Sequence, residues 1–152
     1  MVNEDVVHRI RAFNRLYMPS MNLLGNHYLG SEYSVTEARV FFEIYENEGC
    51  NAAYIAKGMN IDKSYLSRII KAHEKNGYIV RKASDSDGRS FCLYLTDAGK
   101  QRAEDFIRKS DQEIGGVIEW LSAEEQETFS EAVECLLTLL DTIESRRSEK
   151  PT

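Results

Sequence analysis

The period of the apolar positions changes along the chain, and each change marks a boundary. Val6, Ile10, Phe13, Tyr17, Met21 and Leu24 recur three or four residues apart with Arg9, Arg11 and Arg15 between them, which predicts a first helix. Pro19 sits inside that pattern and removes a backbone donor, so a kink or restart is expected near Met18. Gly30 and Ser31 then break the chain before Ser34-Val35-Thr36-Glu37, a capping box that opens a second helix. Its expected apolar set is Ala38, Phe41, Phe42 and Tyr45, and it runs to about Asn47 before Gly49. Asn51 is placed to cap a short third helix through Ala52, Ala53, Ile55 and Ala56, and Gly58-Met59-Asn60 closes it. Asp62 caps a fourth, over residues 62–76. It sets Leu66, Ile69, Ile70 and His73 on one side and Ser64, Ser67, Arg68, Lys71 and Lys75 on the other.

After Gly77 the period drops to two. Residues 78–83 and 90–95 read as strands, with Phe91, Leu93 and Leu95 on one face, and the turn-rich Ser84-Asp85-Ser86-Asp87-Gly88-Arg89 joins them into a hairpin. Thr96 starts a long helix that Gly115-Gly116 should weaken or bend. A second capping box, Ser122-Ala123-Glu124-Glu125, opens the last one. There Phe129, Ala132, Val133, Leu136, Leu137, Leu140 and Ile143 form a stripe, widened by Cys135 and Leu139, that one neighbour does not cover. A second copy of the chain is the expected cover. The fold class is therefore mainly α with a small β-hairpin wing (α+β). The expected architecture is a winged helix-turn-helix at 34–96, with helices at 1–33 and 97–152 forming a dimerisation arm.

Composition narrows the functional classes. With 152 residues, 42% hydrophobic and 29% charged, and only 2 Pro and 9 Gly, the chain suits one globular domain with arms rather than a collagen-like or disordered polymer. The start Met1-Val2-Asn3-Glu4-Asp5 is acidic where a signal peptide is basic, and no apolar run approaches a bilayer span, so a cytoplasmic protein without a membrane partner is expected. Three cysteines, Cys50, Cys92 and Cys135, form no CxxC, which argues against a disulfide framework or zinc ribbon. His8, His27 and His73 lack ligand spacing, and there is no Gly-rich phosphate loop, GxSxG or HExxH. No metal, cofactor or catalytic activity is expected.

Charge changes the picture more. The net charge of −6 hides a block at residues 57–89 with eight basic and four acidic side chains, whereas residues 1–56 carry net −3 and residues 97–152 net −7. A basic block describes a solvated face as well as a binding surface, so its position decides. Here it falls on the second helix of a helix-turn-helix and on the hairpin. The helix can enter a major groove, and Arg89, braced by Asp87, can enter the narrow minor groove. The full set expected to face double-stranded DNA is Asn51, Lys63, Ser64, Ser67, Arg68, Lys71, Lys75, Asp87 and Arg89.

The order of elements, with Ser34-Val35-Thr36-Glu37-Ala38-Arg39, Ser64-Tyr65-Leu66-Ser67-Arg68, Asn76-Gly77-Tyr78-Ile79-Val80-Arg81, Asp87-Gly88-Arg89 and Leu95-Thr96-Asp97-Ala98-Gly99, resembles the MarR family of bacterial transcriptional regulators. The run Ile10-Arg11-Ala12-Phe13-Asn14-Arg15-Leu16-Tyr17 further resembles the regulator half of proteins that fuse this domain to a GNAT acetyltransferase, for which the chain leaves no room. The resemblance implies a homodimer with interlocked terminal helices, a pseudo-palindromic operator and a repressor role. It also implies release by a small aromatic or phenolic effector, for which Phe13, Tyr17, His27, Tyr28, Phe42 and Tyr45 are the aromatic candidates. Gly88 departs from the pattern, since many members carry a second wing arginine there. Two other readings compete: a winged-helix module that binds an acidic protein surface, and a thiol redox sensor built on Cys50.

Overall fold

The structure is a computed structural model that describes residues 1–84 and 90–150. Its element order is α1 (Glu4–Ser20), a single 3-10 turn (Tyr28–Gly30), α2 (Val35–Glu46), α3 (Ala52–Met59), α4 (Lys63–Lys75), β1 (Ile79–Ala83), β2 (Phe91–Leu95), α5 (Asp97–Ile118) and α6 (Ala123–Glu149). The mainly helical class with one antiparallel hairpin is as the sequence predicts. Caps fix most of the helix starts. Asn51 Oδ1 accepts from Tyr54 N at 2.8 Å and Asp62 Oδ2 from Tyr65 N at 3.3 Å, while Ser34 with Glu37 and Ser122 with Glu125 close full capping boxes.

The chain divides into two compact units, residues 1–113 and 114–152. In the first, the buried face of α2 (Val40, Phe41, Ile44) meets Ile55 of α3, Leu66, Ile69 and Ile70 of α4, Ile79, Leu93 and Leu95 of the hairpin, and Ala103 of α5. Each fully buried side chain of this kind, such as Phe41 or Ile44, contributes roughly 1.5–3 kcal/mol. The α2 face differs from the expected one: Phe42 and Tyr45 are exposed, and Val40 and Ile44 take their places inside. The pairing Ile79↔Leu95, Arg81↔Leu93 and Ala83↔Phe91 puts these six residues on one side of the hairpin, and Val80, Lys82, Cys92 and Tyr94 on the other.

Two backbone approaches lock the hairpin in place. Gly49 N donates to Leu93 O at 2.9 Å and Leu93 N to Cys50 O at 2.8 Å, so the α2–α3 connection lies along β2. At the start of α5, Thr96 N donates to the Tyr78 carbonyl at 3.0 Å, and a Cβ on Gly99 would stand 2.1 Å from that same oxygen. Only glycine fits there.

α1 follows a simpler course than expected. Pro19 is the penultimate helical residue, so the donor it removes lies in the last turn and no second helical stretch remains to bend. None of its residues is buried, and Ile10, Phe13 and Leu16 are exposed. The following connection holds two non-glycine residues at positive φ, Asn22 (54°) and Leu29 (53°). α5 passes through Gly115-Gly116 as one helix. In the second unit α6 buries none of its residues, and Leu136, Leu137, Leu139, Leu140 and Ile143 are exposed.

Candidate nucleic-acid interface

The turn between α3 and α4 sets the geometry. Asn60 takes the left-handed conformation (φ 51°, ψ 51°), which asparagine tolerates better than most residues, and Ile61 N donates back to Ala56 O at 3.1 Å. α4 then leaves with Leu66, Ile69, Ile70 and His73 buried. Because that side is fixed in the core, Lys63, Ser64, Arg68, Lys71 and Lys75 are all exposed on the other, and Ser67 is half-buried at its edge. Lys75 in the last turn also complements the helix dipole. Asn51 is exposed, but its side-chain oxygen is engaged as the α3 cap, which makes it a structural residue first. The expectation for Asp87 and Arg89 falls outside the described residues.

One groove of about 240 Å³ lies between the start of α3, the outer side of α4 and the hairpin, and includes Asn51, Ser67, Lys71, Arg81 and Phe91 in its walls. Tyr65, absent from the expected set, is exposed beside Arg68, whose guanidinium lies 6.0 Å from its ring, the outer limit of a cation–π contact. The i, i+3 spacing of the two residues carried that signal. Lys82 lies over the Tyr94 ring at 4.7 Å on the outer hairpin face. Arg81, by contrast, is occupied: its Nε and Nη2 donate to the two Glu74 carboxylate oxygens at 2.8 and 2.9 Å. Those bonds hold the Glu74 carboxyl below its ordinary range.

Behind α4 the packing is aromatic and titratable. The His73 ring lies 4.1 Å from Phe41 and edge-on to Tyr33 at 5.0 Å. Its Nε2 is 2.9 Å from the Glu37 carbonyl, which can only accept, so Nε2 carries the proton. Nδ1 is buried with no hydrogen-bond partner among the described residues. Burial pushes the His73 pKa down. Arg102 of α5 pairs with Glu32 and lies 5.1 Å from the Tyr33 ring and 5.3 Å from Tyr78. Glu37 thus serves twice: its side chain closes the α2 capping box and its carbonyl holds the inner side of α4.

The six aromatic effector candidates do not share one cavity. Tyr28 and Phe42 line a cavity of about 340 Å³ with Arg39 and Phe106. His27 lines a more polar one of about 450 Å³ with Lys109 and Glu113. Phe13 and Tyr17 stack on each other at 4.9 Å along α1. The Tyr45 hydroxyl donates to Glu104 at 3.3 Å, and that carboxylate raises its pKa. Cys50 is half-buried and burial pushes its thiol up, opposite to what a redox sensor needs. Among the described residues no three His, Cys, Asp or Glu side chains are grouped to hold a metal ion, and no helix is long and apolar enough to cross a membrane.

Comparison with known proteins follows the same lines. Residues 33–91, which hold the helix-turn-helix and most of the wing, match the model of the MarR family. The chain is 31% identical over 86 residues to the uncharacterized HTH-type transcriptional regulator YwhA of Bacillus subtilis, covering 57% of this chain and 62% of that protein. It is 32% identical over 74 residues to a putative transcriptional regulatory protein for the hcr operon of Thauera aromatica, covering 47% and 45%. The matches thus span about half the length of these curated relatives. In fold, the chain resembles wild-type MarR of E. coli in its apo form (TM-score 0.73, 17% identity, 90% of this chain and 98% of that one). It also resembles FabT of Streptococcus pneumoniae in complex with DNA (TM-score 0.67, 20% identity, 92% and 98%).

Proposed function

We propose that this chain, with its MarR-family domain at residues 33–91, is a transcriptional regulator that reads double-stranded DNA as a homodimer in the bacterial cytoplasm. The observation that carries the reading is the division of α4: one side is locked into the core, and the opposite side offers Ser64, Arg68, Lys71 and Lys75 to solvent. A cationic helix face with hydroxyls can neutralise phosphates and reach base edges in a major groove. Arg89 is the proposed minor-groove contact of the wing, with Asp87 as its brace. The DNA complex of FabT, similar in fold, supports the assignment.

The dimer is proposed from two exposed apolar faces, each without a cover among the described residues. α1 presents Ile10, Phe13 and Leu16, and α6 presents Leu136, Leu137, Leu140 and Ile143. A patch of this kind on a water-facing chain marks an association surface. Repression released by a small aromatic anion is the proposed mode of control, and the cavity of Tyr28, Phe42, Phe106 and Arg39 is its proposed seat.

Selection of duplexes from a randomised pool, followed by anisotropy titration at several salt concentrations, tests the reading. An enriched sequence whose affinity falls log-linearly with salt is the expected result. Failure to enrich any duplex, with capture of an acidic protein instead, would replace the regulator by a protein-binding module.

A further inference from the structure

The deliberate placement of a neutralised arginine at the hairpin is not explained by phosphate attraction. Arg81 lies in the middle of β1 on the side shared with Ile79 and Leu93, which is the side turned toward the core. There it meets Glu74, one residue before the end of α4, through two parallel hydrogen bonds of 2.8 and 2.9 Å. Its guanidinium also lies 5.2 Å from the Phe91 ring on β2. One side chain therefore ties together the recognition helix and both strands of the wing. The paired fork geometry fixes direction as well as distance, which a lysine at the same place would not do.

We propose that Glu74 and Arg81 are positioning residues that set the angle between α4 and the wing, so that helix and hairpin engage neighbouring grooves of one duplex together. This inference rests on the DNA-reading proposal above. Neither residue touches DNA in this role; Arg81 is spent on Glu74, and Phe91 limits its swing. Both side chains remain about one-third exposed (34% each), so their replacement leaves the core intact.

Electrostatics alone and the positioning role predict opposite signs, which makes Glu74→Gln the decisive variant. Removing a carboxylate beside a DNA-facing surface, and freeing a guanidinium, should tighten binding and steepen its salt dependence if Arg81 is a phosphate contact. If the pair is a strut, Glu74→Gln weakens affinity for the selected duplex roughly three- to fivefold, the upper range for a well-aligned surface pair. The salt slope and the affinity for poly(dI-dC) stay unchanged. Arg81→Lys, which keeps the charge and loses the fork, should behave alike. Tighter binding, equal weakening on both DNAs, or no change on either overturns the proposal. If the wild-type protein selects no duplex at all, the DNA-reading proposal fails first and is distinguished from failure of the strut.

Discussion

His73, buried on α4, makes the stability of the fold depend on pH in a direction that can be worked out beforehand. The ring is 1% exposed, donates Nε2–H to the Glu37 carbonyl, and leaves Nδ1 without a partner among the described residues. A second proton would place a charge in a buried site against Phe41 and Tyr33; that burial outweighs the favourable Glu37 carbonyl and the Glu37 and Glu32 carboxylates, and Arg102 adds a smaller opposing charge. The folded pKa therefore lies below the unfolded value of about 6.5. As pH falls through that value, the unfolded chain binds the proton first. Stability is full above pH ~6.5 and declines as pH drops toward the folded pKa. The slope is at most about 1.4 kcal/mol per pH unit, which caps the loss between pH ~6.5 and ~5.5 at about 1 kcal/mol. Glutamine can make the same donation to the Glu37 carbonyl and cannot titrate, so His73→Gln is the control. Urea unfolding followed by circular dichroism, at fixed protein concentration and half-unit pH steps, gives the difference between the two proteins. Carboxylates shared by both cancel. Parallel stability curves for wild type and His73→Gln across that window would refute the reasoning, and so would a wild type that gains stability there.

Lys71→Ala should reduce the salt slope of DNA binding by about 0.9, the release of one counterion, with similar weakening on any sequence; an unchanged slope removes Lys71 from the phosphate contacts. Gly99→Ala forces a Cβ to 2.1 Å from the Tyr78 carbonyl oxygen, and we expect it to destabilise the fold by about 1–3 kcal/mol in thermal or urea unfolding. A neutral effect would mean that α5 can slide away from the hairpin without loss. Leu140→Lys, on the exposed stripe of α6, should shift the mass measured by light scattering from the proposed dimer to the monomer while the chain stays helical by far-ultraviolet circular dichroism; an unchanged mass removes this stripe from the proposed interface.

The helix-turn-helix is legible because its sequence is binary. On α4 the apolar positions 66, 69, 70 and 73 alternate with serine and cations, and Asn51 and Asp62 stand where helix caps are needed. On α2 the same method misplaced the buried face, since Val40, Phe41, Phe42, Ile44 and Tyr45 are apolar almost all the way round and leave periodicity nothing to choose between. Pro19 was misjudged for a different reason: its effect depends on how many turns follow, and the helix ends one residue later. Contacts between distant segments had no local signature. Arg102 meets Glu32 across 70 positions, and His73 meets Glu37 across 36. The pairing of Glu74 with Arg81 spans only seven positions, but it crosses from helix to strand, where neither period applies. Of the effector candidates, Tyr28 and Phe42 come to one cavity and the others do not, because residue type marks a region without fixing direction.

Among the described residues the buried apolar side chains lie between residues 33 and 103, and α6 contributes none. During synthesis the head therefore has every residue of its core before α6 leaves the ribosome. At ordinary translation rates the 37 residues from 114 to 150 take roughly two to seven seconds more, time enough for the earlier part to fold. The exposed leucine stripe of α6 is thus made after the core, which can close before that surface exists to compete for it.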